Sequence, residues 1–177
     1  MGIISGTGPE SSIRNSRGRM LDGEGAGARK RVLAIASGGG HWVQLLRLAA
    51  AFDGCDVAYV TVNEGYREQV RGSRFYAVND ATRWNRFGLV LLAIRLAFIV
   101  LLRERPDVII STGAAPGYFG LLIGRWIGCR TVWVDSIANA EKLSLSGEKI
   151  GRFADLWLTQ WPHLAKPKGP LYAGAVL

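Results

Sequence analysis

"RVLAIASGGGHWVQLLRLAAAF", residues 31–52, decides how the chain folds. It opens on a short apolar run closed by a small polar residue, the pattern of a strand buried on both faces. It ends with Val43, Leu45, Leu46, Leu48, Ala49 and Phe52 at helical spacing. Three glycines and a histidine join the two parts. Glycine lacks a Cβ, so its backbone turns tightly and lets a ligand reach main-chain N–H groups. A turn of this kind that opens a helix also presents unpaired amides and the positive end of the helix dipole. Together these favour an anion such as phosphate at Gly38, Gly39 and Gly40, with a tight, ligand-free turn as the alternative.

The same alternation recurs along the chain. Apolar runs at 56–62, 74–79, 107–112, 130–136 and 155–160 read as strands. Helices are expected at 64–70, within 86–105, at 118–128 and near 149–153, with an extended piece at 170–176. Continuous apolar strands separated by helices specify an α/β fold: a Rossmann-like parallel sheet with helices on both faces. Ligands of such sheets bind beyond the carboxyl ends of the strands. Three loops lie there, at 37–41, 111–117 and 135–146, the second containing "GAAPG". Residues 1–30, rich in Gly, Ser and Arg, read as a disordered tail, and 31–177 as one folded domain.

Composition narrows the function. The chain has 177 residues and is 49% hydrophobic, enough for one core. Its 22 basic and 14 acidic residues give a charge of +8, which attracts phosphates on nucleic acid, anionic lipid or a substrate. The basic residues are dispersed and accompany no nucleic-acid-binding motif, so nucleic acid is the weakest of these. Cys55 and Cys129 lie far apart and the chain has two histidines, which argues against a metal site. Both cysteines read as buried thiols in a reducing compartment. The amino terminus lacks the apolar run of a secretory signal, which predicts a cytoplasmic chain.

Two familiar phosphate loops fit poorly. A nucleoside-triphosphate loop ends in Gly-Lys-Ser/Thr, whereas this one ends in Gly-His-Trp. The dinucleotide fingerprint is met at Gly38 and Gly40 but has Val43 in its third place. Glu64 stands where a ribose-binding acid would, which keeps a nicotinamide-dependent oxidoreductase as an alternative. His41 is placed to act as a general base or to donate to a phosphate. Capping the helix or packing on Trp42 would explain it equally simply.

From Phe87 to Leu102 only Arg95 is charged. That stretch would make a helix about 24 Å long, short of the roughly 20 residues that span a bilayer. Arg83, Arg86, Arg103, Arg105 and Trp84 flank it, as suits a lipid headgroup region. Two readings stand: a helix lying in the membrane interface, or a buried crossover between parallel strands.

Three stretches, "ASGGGHWVQLLRL", "PDVIISTGAAPG" and "TVWVDSIANAEKLSLSGEKIGRFADLWLTQWPHL", together resemble one family. It is the oligosaccharide-biosynthesis family that holds the acceptor-side subunit of the dolichol-linked N-acetylglucosaminyltransferase and bacterial exopolysaccharide glucuronosyltransferase-type subunits. The resemblance covers about 31–177, and its third stretch is the most specific. It implies the amino-terminal half of a GT-B glycosyltransferase, binding a lipid-linked saccharide acceptor. The donor-binding half would be a separate partner chain that holds the UDP-sugar, leaving no cofactor on this one. By position, Gly39, Gly40 and His41 match the family's Gly-Gly-His loop, facing the acceptor's diphosphate. Thr112, Gly113, Ala114 and Pro116 match its second loop, and Ser144, Ser146 and Gly147 the loop before the last helix. Asp135 and Ser136 fall where members usually carry Glu-Ser. Peripheral attachment to the cytoplasmic face of the membrane would rest on Trp84, Arg86, Phe87, Leu91, Arg95, Phe98 and Arg103. A non-catalytic adaptor that recruits the donor-binding subunit is the alternative.

Overall fold

The computed structural model describes residues 28–81 and 85–176. Seven strands form one sheet: β1 (Arg31–Ile35), β2 (Asp56–Thr61), β3 (Arg74–Ala77), β4 (Val108–Ser111), β5 (Arg130–Val134), β6 (Leu156–Thr159) and β7 (Leu171–Tyr172). Their order is β3-β2-β1-β4-β5-β6-β7, and every neighbouring pair is parallel. The Rossmann-like parallel sheet expected from the sequence is the sheet observed. The chain runs outward one way from β1 and then returns to build the other side from β4. The carboxyl ends of β1 and β4 therefore flank the topological switch point, where such sheets open a crevice.

Side-chain alternation along the strands builds two cores. Val32 and Ala34 of β1 face one side, with Trp42 and Leu45 of α1 (Gly40–Arg47). Trp42 stacks on Tyr66 with ring centroids 5.2 Å apart and meets Tyr59 and Phe75 edge-on. Leu33 and Ile35 face the other side, under α2 (Arg86–Phe98) and α3 (Ala114–Trp126). α3 approaches the sheet closely because a methyl at Gly120 or Gly124 would strike Ile35 or Ile109. α4 (Leu145–Ile150) follows the loop after β5.

Several elements depart from the sequence reading. The "GAAPG" stretch is not a loop beyond Gly113, because α3 already starts at Ala114 and places Pro116 in its first turn. Proline is tolerated there, where its missing N–H has no intrahelical partner to lose. The helix expected at 64–70 is present as a 3-10 helix, Glu64–Val70, but the helix expected near 149 begins earlier, at Leu145. The apolar segment is two pieces: α2, then a π-helical turn over Ile99–Glu104 that ends on Arg105 at φ 44°. Pro106 stops it there by denying the helix a further N–H. Cys129 is buried, its Sγ donating to the Pro106 carbonyl at 2.9 Å, but Cys55 is only half-buried. Most of the expected tail, with Arg83 and Trp84, lies outside the described residues.

Candidate functional site

The loops after β1 and β4 meet at the switch point through His41 and Thr112. The His41 Nδ1 lies 2.9 Å from the Thr112 carbonyl, and the Thr112 hydroxyl donates to the His41 carbonyl at 2.7 Å. A carbonyl only accepts, so Nδ1 carries the proton and neutral His41 keeps its lone pair on Nε2. The ring lies directly over Gly113, where an added Cβ would fall 2.5 Å from the imidazole. Gly113 also sits at φ 143°, a conformation that glycine alone adopts without strain. Histidine and glycine are thus one device, although they come from different strands.

The glycine loop is partly engaged. Gly39 takes φ 62° as it turns the chain into α1, and its N–H donates to the Tyr66 hydroxyl at 3.1 Å. Gly38 is half-buried against Tyr66 and Val62, while Gly40 is exposed. Among the described residues no side chain caps the start of α1 or of α3. The Gly40 and His41 amides of α1 and the Ala114 and Ala115 amides of α3 thus have no capping side chain and are left to meet an anion at this edge, whereas Pro116 has no N–H to offer. The Gly113 N–H is itself held by Ser111 Oγ at 3.1 Å. Ala114, at φ 65°, is strained for a residue with a Cβ.

His41 and Ala114 form one wall of a cleft of about 580 Å3, and Ser136, Asn139, Lys142, Ser144, Ser146 and Glu148 form the others. Of the sequence-derived residues, His41, Ala114, Ser136, Ser144 and Ser146 line it; Gly38, Gly39 and Gly40 do not, nor do Thr112, Gly113, Pro116 and Asp135, which are buried. The Asp135 carboxylate is occupied: Oδ1 accepts from the Ser136 N–H and from Asn139 Nδ2, and Oδ2 from the Ser144 N–H. It shapes the loop after β5. Gly147 gives it room, since a Cβ there would lie 2.5 Å from Oδ2.

Sequence reasoning missed two glutamines behind the cleft. Gln44 Oε1 accepts from the Ile137 N–H and Gln160 Nε2, while its Nε2 donates to Ser136 Oγ and the Gly40 carbonyl. Gln160 Nε2 also donates to the Asp135 carbonyl. This fully paired amide ties the glycine loop to the loop after β5. A glutamine at an otherwise apolar position of α1 was the available signal. Lys142, the cation on the cleft, was missed as well. Glu64 pairs with Arg67 at 2.5 Å.

On the opposite layer, α2 buries only Leu92 and Leu96 fully. Phe87 is 81% exposed, Ile94 61% and Phe98 52%, and Trp126 at the end of α3 is 84% exposed. Leu91, Arg86, Arg95 and Arg103 are exposed alongside them. Among the described residues, no helix is long and apolar enough to cross a membrane.

Comparison with known proteins gives this geometry a context. The chain is 29% identical over 175 residues to the UDP-N-acetylglucosamine transferase subunit ALG14 of Eremothecium gossypii, covering 81% of this chain and 78% of that one. Among solved structures it is similar to MurG of Acinetobacter baumannii, with TM-score 0.65 and 17% identity, over 81% of this chain and 45% of that one. It is also similar to UDP-GlcNAc 2-epimerase from Methanocaldococcus jannaschii, with TM-score 0.55 and 11% identity, over 73% and 39%. The chain thus spans less than half the length of these two solved proteins, and their likeness concerns the fold. That fold is the Rossmann-like half expected of a GT-B architecture. Residues 78–176, most of the β4-to-β7 side of the cleft included, match the family described as "Oligosaccharide biosynthesis protein Alg14 like", and the chain belongs to that family.

Proposed function

We propose that this chain is the acceptor-binding, membrane-associated subunit of a split GT-B glycosyltransferase. Its partner would hold the UDP-sugar, and the pair would transfer the sugar to a lipid-linked saccharide. The observation that carries the reading is the meeting of two uncapped helix starts beside His41, in a cleft at the switch point. The acceptor's diphosphate would take the first-turn amides and Lys142, which orients its sugar and reduces the entropy to be lost on reaction. The acceptor hydroxyl then attacks the anomeric carbon with inversion. The bond from that carbon to the diphosphate breaks, UDP leaves with the electron pair, and the hydroxyl proton passes to His41 Nε2. The donor and acceptor sugars are set by the two chains together, with N-acetylglucosaminyl transfer favoured by the relative's name and glucuronosyl transfer the bacterial counterpart.

The exposed crest of α2, edged by Arg86, Arg95 and Arg103, supports attachment to an anionic cytoplasmic leaflet. The test is reconstitution: transfer to a lipid-linked acceptor is measured with this chain, with its partner, and with both. Activity only in the mixture is expected. Full activity from this chain alone refutes the split enzyme, and full activity from the partner alone in detergent makes this chain an adaptor.

A further inference from the structure

We infer that α4 is a lid on the cleft, seated lightly over a pair of buried indoles and drawn shut by the diphosphate that the cleft receives. The inference rests on the reading of the cleft given above. Leu145, Ser146 and Glu148 of α4 line that cleft, whose other wall holds His41 and Ala114. Little holds this helix down. It has six residues, too few to persist as a helix without tertiary contacts. Its one buried side chain is Ile150, since Gly147 has none and Leu145, Glu148 and Lys149 are exposed.

What lies beneath α4 favours lifting. Trp133 of β5 and Trp157 of β6 are register partners on adjacent strands, and both meet the helix at a glycine. A Cβ at Gly147 would fall 2.9 Å from Trp133 Nε1, and one at Gly151, the residue after the helix, would strike the Trp157 indole. Both indole N–H groups are buried, and neither has an acceptor among the described residues. A buried donor without a partner forgoes the hydrogen bond it would make with water. A fixed wall would cover apolar surface; this one covers unmet donors. Lifting α4 lets water reach them, so the closed position lies only a little below the open one. A ligand then decides the balance. Lys142 and Ser144 lead into α4, and Ser144 caps it by accepting from the Gly147 N–H at 2.9 Å. A diphosphate held by Lys142 and Ser146 binds the closed lid better than the open one, and the population shifts by that difference.

Hydrogen–deuterium exchange of the full chain is followed with and without inorganic pyrophosphate, at a concentration where calorimetry shows binding to be saturated. In the free protein, residues 144–153 should exchange at least about tenfold faster than β1 and β4, and pyrophosphate should slow them at least about fivefold. The Trp133 and Trp157 indole N–H signals, assigned by single Trp→Phe substitutions, should show the same slowing of solvent exchange. Gly151→Ala props the helix off Trp157 and should weaken pyrophosphate binding about tenfold, by holding the lid open. Gly147→Ala, which props it at Trp133, decides if Gly151→Ala fails to fold. Indole N–H groups equally protected with and without ligand would overturn the lid, as would unchanged affinity in the propped variant. Pyrophosphate that binds without slowing 144–153 overturns the lid and leaves the cleft reading standing. Pyrophosphate that does not bind at all refutes the cleft reading, and the lid falls with it.

Discussion

The structural contact of His41 and its proposed catalytic role are separable by substitution. The His41 Nδ1–H donates to the Thr112 carbonyl, which is structural, and in the proposed reaction its Nε2 would take the proton. Asparagine can keep the contact, because its side-chain amide also donates, but it cannot take a proton. If Nε2 is the base, His41→Asn and His41→Ala should both lower kcat of the reconstituted enzyme by about 10²–10⁴. Recovery of near-normal turnover in the asparagine variant would leave His41 as a clamp between two loops. Residues 31–52 marked this histidine because a glycine turn before a helix is a local signal. Its partner Thr112 lies 71 residues away, and no local pattern joins them.

At the scale of elements, α1 and α2 solve opposite problems. α1 brings a polar amide into the interior and satisfies it completely through Gln44. Gln44→Ala leaves the Ile137 N–H without a partner, and stability should fall by about 1–3 kcal/mol in denaturant unfolding. The same variant should bind pyrophosphate more weakly, because the loop carrying Ser136 and Asn139 loses its tie to α1. α2 instead leaves apolar side chains in water. Its uniform hydrophobicity gave no indication in sequence of which face is covered; packing against α3 and the sheet covers Leu92 and Leu96 alone. Ile94→Glu with Phe98→Glu should reduce co-sedimentation with anionic vesicles several-fold and leave the far-UV spectrum unchanged. Unaltered sedimentation would separate this crest from the membrane.

For the whole molecule, stability should follow the carboxylates that join distant segments. Asp155 accepts from the Thr131 N–H and hydroxyl and pairs with Arg125, linking β5, α3 and the entry to β6. Burial acts to raise its pKa, but the Thr131 hydrogen bonds and the charges of Arg125 and Arg130 outweigh burial, and the value is lowered. A carboxyl with a lowered folded pKa contributes stability above its unfolded value and loses it as pH falls through the folded one. Acid should therefore destabilise the protein progressively below the ordinary aspartate range. Asp155→Asn should flatten that part of the stability-versus-pH curve, and an unchanged acid slope would show that other groups carry it.

The alternation of buried strands and helices, the glycine turn into α1 and the family are all legible before folding is considered. Each of these is written in neighbouring residues, through periodicity, missing Cβ atoms or a contiguous motif. Tertiary structure alone decided that β1 and β4 adjoin, which brings His41 onto Thr112 and over Gly113. It also buried Asp135 as a loop organiser, joined Gln44 to Gln160 across 116 residues, and set α4 over the indoles of Trp133 and Trp157. The reason is physical: strand pairing and close packing are settled by competition among surfaces far apart in the chain, whereas backbone conformation and amphipathic spacing act over one or two turns.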